Sequence, residues 1–119
     1  MRLFLSFLTL FFIVSCATSK NNAAEKRHLK ELLKSPDTVL VDVRIPGQFS
    51  EKTAENAINI PLAEIENNLD FFRNKQTVLF CNTGIQSGKA LELLKKNGIS
   101  NVYSAKTLET VQKIQRKKK

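Results

Sequence analysis

Residues 78–89 read VLFCNTGIQSGK, an apolar run that ends at a cysteine and is followed by a polar loop containing glycine. The run predicts a buried strand, and the segment from Gln86 to Lys96 predicts a helix that closes at Gly98. The cysteine therefore lies where the first amides of a helix lack carbonyl partners and point into the loop. Their field favours the thiolate of Cys81, which is the nucleophilic form. The alternative, a cysteine that is only a small buried hydrophobe, is disfavoured by the polar residues after it.

Strand and helix patterns alternate on both sides of this segment. The pattern predicts strands at residues 38–43, 57–60, 77–81 and 102–103. Helical periodicity predicts helices at 23–34, 62–72, 86–96 and from 107 onward, with a helical turn at 46–51. Such alternation is typical of an α/β fold in which helices cover both faces of a parallel sheet of four to five short strands. Ligands bind these sheets beyond the carboxyl ends of the strands, which directs attention to the loops after residues 43, 60 and 81.

Three ordered motifs resemble the rhodanese family. They are VLVDVR at residues 39–44, AINIPL at residues 57–62, and the cysteine with its glycine loop. The sequence CNTGIQSG at residues 81–88 is similar to the loop of the small single-domain periplasmic rhodaneses of the phage-shock type. The resemblance implies a rhodanese-like, three-layer fold for a single domain at residues 23–112.

The resemblance also implies a sulfurtransferase that works through a covalent intermediate. Cys81 would take the sulfane sulfur of thiosulfate or of a persulfide, carry it as a persulfide, and pass it to cyanide or a thiol acceptor. A carrier of this kind needs an activated thiolate and converging amides and no separate base. No cofactor is implied, and a monomer is expected. Asp42 and Arg44 are expected to support the substrate-binding loop, which comprises Asn82, Thr83, Gly84, Ile85, Gln86 and Ser87.

The loop departs from the family pattern in its charge. Many family members carry an arginine four or five residues after the cysteine, where it binds the sulfonate of thiosulfate. Here those positions are Ile85 and Gln86, and Lys106-Thr107 replaces a glycine pair that commonly follows the last strand. Either Lys89 or Lys106 would restore positive charge near the site, a choice that the sequence leaves open. Weak use of thiosulfate is therefore expected.

Two other classes of function remain open. An inactive rhodanese-like module that binds a partner or an anion is favoured by the altered loop and disfavoured by the retained Cys81. A thiol-based phosphatase or arsenate reductase would have a loop one residue longer that ends in arginine, and this chain has neither feature. The single histidine, His28, lies among basic residues and is expected at the surface. With one histidine and two cysteines, no metal site is expected.

The amino-terminal residues resemble a bacterial lipoprotein signal. Residues 3–14 are apolar apart from two hydroxyl residues, and this run is shorter than the ~20 residues that a membrane-spanning helix needs. IVSC at residues 13–16 is similar to a lipobox, so residues 1–15 are expected to be removed and Cys16 to be lipidated. The protein is then expected in the cell envelope, periplasmic and held to a membrane by that lipid, with residues 16–22 as a tether.

Alternatives to the lipoprotein signal are an ordinary signal peptide with a cysteine nearby and a buried core helix. In an exported chain two cysteines suggest a disulfide, but a lipid on Cys16 would prevent a bridge to Cys81. Export with lipidation therefore leaves Cys81 as a lone thiol in an oxidising compartment.

The formal charge of +8 is concentrated at the carboxyl end of the chain. Residues 113–119 hold five basic side chains, whereas residues 16–112 hold 13 basic and 11 acidic side chains. Because the body of the protein is nearly neutral, no nucleic-acid partner is predicted. The basic tail at residues 113–119 is expected to be solvated or to contact anionic lipid headgroups.

Overall fold

The computed structural model of the chain describes residues 18–117. Its helices are α1 (Thr18–Lys34), α2 (Pro46–Glu51), α3 (Leu69–Arg73), α4 (Ile85–Lys96) and α5 (Leu108–Lys117). Its strands are β1 (Val39–Asp42), β2 (Ile58–Asn59), β3 (Thr77–Cys81) and β4 (Val102–Thr107). Two 3-10 turns, Leu62–Glu64 and Glu66–Asn68, precede α3. Within this part of the chain, no helix combines the length and the apolar character that crossing a membrane requires.

The strands form one parallel sheet in the order β2-β1-β3-β4. All five residues of β3 are buried, and successive side chains of a strand point to opposite faces. Leu79 and Cys81 accordingly pack in a core with residues of α3 and α4. Val78 and Phe80 pack on the other face with residues of α1 and α5. The predicted α/β fold, a parallel sheet with helices on both faces, is confirmed.

The amino-terminal helix is longer than predicted. α1 begins at Thr18, inside the segment 16–22 that was expected to be a tether, and not at Ala23. Leu29 and Leu32 pack this helix against the sheet. Once a helix is anchored, each further residue that is fixed adds one backbone hydrogen bond, so the helix can extend toward the amino terminus. The predicted signal peptide and Cys16 lie outside the described residues.

Among the carboxyl-terminal elements, β4 is longer than predicted, whereas α5 agrees with the helix predicted from residue 107 onward. β4 continues from Val102 to Thr107, where a strand of two residues was expected. α5 continues to Lys117 and so enters the segment 113–119 that was predicted to be a solvated tail. Val111 and Ile114 are buried at helical spacing, and this packing holds the basic residues that follow in a helix.

The segment predicted as one helix at residues 62–72 is interrupted. Asn68 has φ −125° and ψ 25°, which is outside the helical region, and α3 starts only after it. Asn67 and Asn68 are weak helix formers, because their side chains compete for backbone hydrogen bonds. The side-chain Nδ2 of Asn68 donates to the Glu64 carbonyl at 2.8 Å. The two asparagines therefore explain the break.

A buried ion pair fixes the chain where it leaves β1. Arg44 Nη2 lies 2.7 Å from Asp42 Oδ2, and Arg44 Nε donates to Asp42 Oδ1 at 3.0 Å. Both residues are buried. Thr53 Oγ1 donates to Asp42 Oδ2 at 2.9 Å, and Arg44 Nη2 donates to the Lys52 carbonyl. The pair thus joins the end of β1 to the segment that follows α2.

Replacing Asp42 with alanine is expected to lower the free energy of unfolding by about 3–5 kcal/mol, because a buried guanidinium would lose its carboxylate partner. Denaturant titration measures this change. Asp70→Ala is the matched control, since Asp70 pairs with Arg73 at 3.2 Å on the exposed surface and its loss should cost less than about 1 kcal/mol. Equal losses in the two variants would contradict a structural role for the buried pair.

Candidate functional site

Cys81 is the last residue of β3 and lies at the carboxyl edge of the sheet, between β1 and β4. Cys81 is only 1% exposed to solvent. The next helix begins four residues later, and Gly84 at its N-cap has φ 92°, a left-handed conformation that glycine adopts without steric cost. This turn folds the chain back so that the first amides of α4 approach the cysteine sulfur.

Four groups surround the sulfur of Cys81. The Gly84 amide donates to Sγ at 3.0 Å and the Ser87 amide donates at 3.4 Å. Ser87 Oγ and the Lys106 carbonyl oxygen each lie 3.5 Å from Sγ. Two amides, one hydroxyl and one carbonyl therefore form the immediate environment of the thiol.

This environment lowers the pKa of Cys81 below its ordinary value. Burial raises the pKa, because the charged thiolate loses solvation. Hydrogen bonds from the Ser87 hydroxyl and from the amides of Ser87, Gly84 and Thr83 stabilise the thiolate and together outweigh burial. The fraction of thiolate at neutral pH is thus higher than for an ordinary cysteine, which supports the predicted nucleophilic character.

The Ser87 hydroxyl is the centre of a small polar network. Ser87 is buried, and its Oγ lies 3.2 Å from the Gly84 carbonyl, 3.1 Å from the Lys106 carbonyl and 3.2 Å from Ser104 Oγ. Ser104 Oγ in turn accepts a hydrogen bond from the Lys106 amide at 3.0 Å. A hydroxyl carries one proton, so Ser87 can donate either to a carbonyl or to the thiolate. Ionisation of Cys81 favours the second arrangement.

Lys106 closes the site from β4 in a conformation that is unusual for lysine. Its φ is 66°, and the pairing of β3 with β4 shifts register at this point, so that Ser104 pairs with Leu79 and Lys106 with Phe80. A left-handed conformation costs a residue with a side chain roughly 1–2 kcal/mol. The turn aims the Lys106 carbonyl at the thiol and brings the root of its side chain against the loop: a Cβ added to Gly84 would lie 3.2 Å from Lys106 Cβ.

Of the two residues predicted to support the loop, Arg44 contacts it directly and Asp42 acts through Arg44. Arg44 Nη1 donates to Asn82 Oδ1 at 3.0 Å, while the same guanidinium holds Asp42. The Asp42 carboxylate accepts from Arg44 and Thr53 and reaches the loop only through Arg44. Support of the loop therefore runs from β1 through the arginine to the residue that follows Cys81.

The predicted loop residues divide into two groups. Gly84 and Ser87 contact the sulfur, and the Thr83 amide adds to the lowering of its pKa. The side chains of Asn82, Thr83, Ile85 and Gln86 are exposed, and Ile85 is 63% exposed. The loop thus offers amides to the sulfur and a neutral surface to solvent.

Ser104 and the Lys106 backbone are part of the site although the sequence analysis did not predict these contacts. A strand predicted to continue past Tyr103 would have placed Ser104 on the same face as Val102, toward α4. The sequence did contain one signal of a left-handed residue: Lys106-Thr107 stands where family members commonly have two glycines, and glycine adopts that conformation most readily. His28, expected at the surface, is exposed and packs edge-on against Tyr103 at 5.1 Å.

Comparison with known proteins places this geometry in a family. The sequence model of the Rhodanese-like domain matches residues 13–107. The chain is 35% identical over 74 residues to the thiosulfate sulfurtransferase PspE of Escherichia coli (strain K12), an alignment that covers 60% of this chain and 71% of PspE. It is 28% identical over 97 residues to the tRNA uridine(34) hydroxylase of Pelagibacter ubique (strain HTCC1062), covering 78% of this chain but only 32% of the hydroxylase.

A solved structure gives the same result. The structure of a rhodanese with anions from E. coli is 34% identical to this chain and superposes with a TM-score of 0.58, over 62% of this chain and 91% of that one. The span of the family model, residues 13–107, includes β1, β3 and the cysteine loop between β3 and α4. The chain therefore belongs to the rhodanese-like domain family.

Proposed function

We propose that the protein is a sulfurtransferase that carries a sulfane sulfur on Cys81. The single observation that carries the proposal is the convergence of the Gly84 and Ser87 amides on a thiol whose pKa is lowered. A thiolate held in this way is a nucleophile that needs no neighbouring base. Among the described contacts of Cys81 Sγ there is neither an imidazole nor a carboxylate.

The reaction proceeds in two displacements. The Cys81 thiolate attacks the outer sulfur of thiosulfate, a new sulfur–sulfur bond forms to Cys81, and sulfite leaves with the electron pair of the broken bond. Cyanide then attacks the outer sulfur of the persulfide and leaves as thiocyanate, which returns the thiolate. With a persulfide donor the leaving group is a thiolate, and with a thiol acceptor the product is a new persulfide.

The relatives support this proposal to different degrees. PspE is named a thiosulfate sulfurtransferase, and this chain spans 71% of its length. The tRNA uridine(34) hydroxylase shares only a third of its length with this chain, so its activity is not extended to this protein. The second candidate function is a rhodanese-like binding module, which is favoured by one observation: Ile85, at a position where the family commonly has arginine, is exposed to solvent and neutral.

Cys81→Ser is expected to reduce sulfur transfer to the background rate, because a serine hydroxyl is not ionised at neutral pH. The free energy of unfolding should change by less than about 1.5 kcal/mol, since serine is similar in size and the Gly84 and Ser87 amides can donate to its oxygen. The measurements are thiocyanate formation, mass spectrometry for one added sulfur on the enzyme, and denaturant titration. Unchanged transfer in the variant would exclude Cys81 as the carrier.

Ile85→Arg is expected to raise kcat/KM for thiosulfate by roughly tenfold, because an added bidentate hydrogen bond worth about 1.4 kcal/mol in the transition state gives that factor. Ile85 is exposed at the start of α4, so the larger side chain fits without displacing the core. Ile85→Gln is the control for a polar but neutral side chain. The Arg variant should leave transfer from an uncharged persulfide unchanged; a thiosulfate value no better than that of the Gln variant would contradict the prediction.

The location in the cell envelope is part of the same proposal. It rests on IVSC at residues 13–16, which is similar to a lipobox. The unaltered protein is expected in the membrane fraction with a lipid mass on Cys16, whereas Cys16→Ser should remain unprocessed or leave that fraction. Cys81→Ser is the control for loss of a cysteine elsewhere. A soluble unaltered protein without lipid would overturn the proposal.

A further inference from the structure

We infer that Lys106 binds the anionic part of the sulfur donor and thereby sets the donor preference of the Cys81 site. The inference rests on the proposed function, because it concerns the substrate that reaches the thiolate. In this inference, a lysine of β4 supplies the positive charge that many family members carry on an arginine in the loop.

The position of Lys106 is the first argument. Its carbonyl oxygen lies 3.5 Å from Cys81 Sγ and 3.1 Å from Ser87 Oγ, so its backbone is part of the wall around the sulfur. A Cβ on Gly84 would meet Lys106 Cβ at 3.2 Å and Lys106 Cγ at 3.8 Å. The lysine stem therefore starts against the residue whose amide holds the thiolate, and Lys106 is exposed to solvent.

The other basic groups near the site leave Lys106 as the candidate cation. Residues 82–87 include no basic side chain. Arg44 is 4% exposed, and its guanidinium is held by Asp42, Asn82 and the Lys52 carbonyl, so its charge is neutralised and turned inward. None of the ion pairs found among the described residues includes Lys106. Lys106 is thus a cation outside these ion pairs, carried by a residue whose backbone lies beside the reacting sulfur.

The backbone conformation of Lys106 also supports the inference. A left-handed residue at this position is required to aim the carbonyl at Cys81, and glycine would satisfy that requirement without strain. Residues held in strained conformations cluster at functional sites, where the surrounding structure maintains them. A long charged side chain at a position suited to glycine is explained if the charge itself has a role.

The surroundings of Lys106 add to the positive potential. Lys106 lines a cleft of about 410 Å³ beside α1 and α5, and four further lysines line the same cleft: Lys26, Lys30, Lys113 and Lys117. Glu25 also lines the cleft, and Lys113 is paired with Glu109 at 2.9 Å. Because the lysines outnumber the single acidic side chain, the lining has a net positive charge, which raises the local concentration of anions beside Lys106. The class of donor expected is therefore a sulfane sulfur attached to an anion, such as thiosulfate or the persulfide of a small acidic thiol.

Alkylation of Cys81 tests the inference without requiring sulfur transfer. Iodoacetate and iodoacetamide differ by one negative charge, and each forms a carbon–sulfur bond and expels iodide. In Lys106→Asn, which keeps a side chain that tolerates a left-handed backbone, the rate ratio of iodoacetate to iodoacetamide should fall about fivefold at low salt, as expected for the loss of one charge at close range. Lys106→Gly should give the same fall, and Lys106→Arg should keep the ratio of the unaltered protein.

Lys89→Gln is the matched control, since it removes one exposed positive charge from α4 and should leave the ratio unchanged. In sulfur transfer, Lys106→Asn should lose about fivefold in kcat/KM for thiosulfate and nothing for an uncharged persulfide. An equal fall in the rates of both alkylating reagents, or an unchanged ratio in Lys106→Asn and Lys106→Gly, would overturn the inference. Absence of transfer from every donor with the alkylation result intact would instead overturn the proposed function alone.

Discussion

The hydrogen bonds from the Gly84 and Ser87 amides to Cys81 Sγ are the interaction on which the rest of the site depends. They exist because a buried parallel strand ends at the cysteine and a helix begins within four residues. A left-handed residue is needed to turn the chain so sharply, and glycine provides it at position 84. Without this turn, burial alone would raise the pKa of the thiol and leave it inert.

Two walls hold the loop in that shape, and each has an energetic cost. On the β1 side, the buried pair of Asp42 and Arg44 gives up solvation and recovers it through hydrogen bonds to Asn82, Thr53 and the Lys52 carbonyl. On the β4 side, Lys106 adopts a strained backbone to direct its carbonyl to the thiol. The buried cores on both faces of the sheet supply the stability that tolerates these costs.

The parts of the structure that follow from local pattern were predictable from the sequence. The strand at residues 77–81 was predicted with the bounds observed, and the junction with α4 followed from the glycines and the polar loop. What local pattern does not encode was missed: the start of α1 at Thr18 and the extension of β4 to Thr107 depend on packing against the sheet. The contact of Ser104 with Ser87 required knowing that longer strand. The roles of the site residues stay predictions until activity is measured.

The source of the positive charge has a consequence for selectivity. An arginine in the first turn of α4 would lie on the same side of the site as the amides and would hold two sulfonate oxygens in a directional, bidentate geometry. A lysine on β4 approaches from the opposite wall on a flexible stem and acts as a point charge. Under the proposed function, such a site would select donors by negative charge more than by the shape of the charged group. Because Cys81 is only 1% exposed, the shape requirement applies to the transferred sulfur of the donor. That sulfur has to be terminal and unhindered to reach the thiolate.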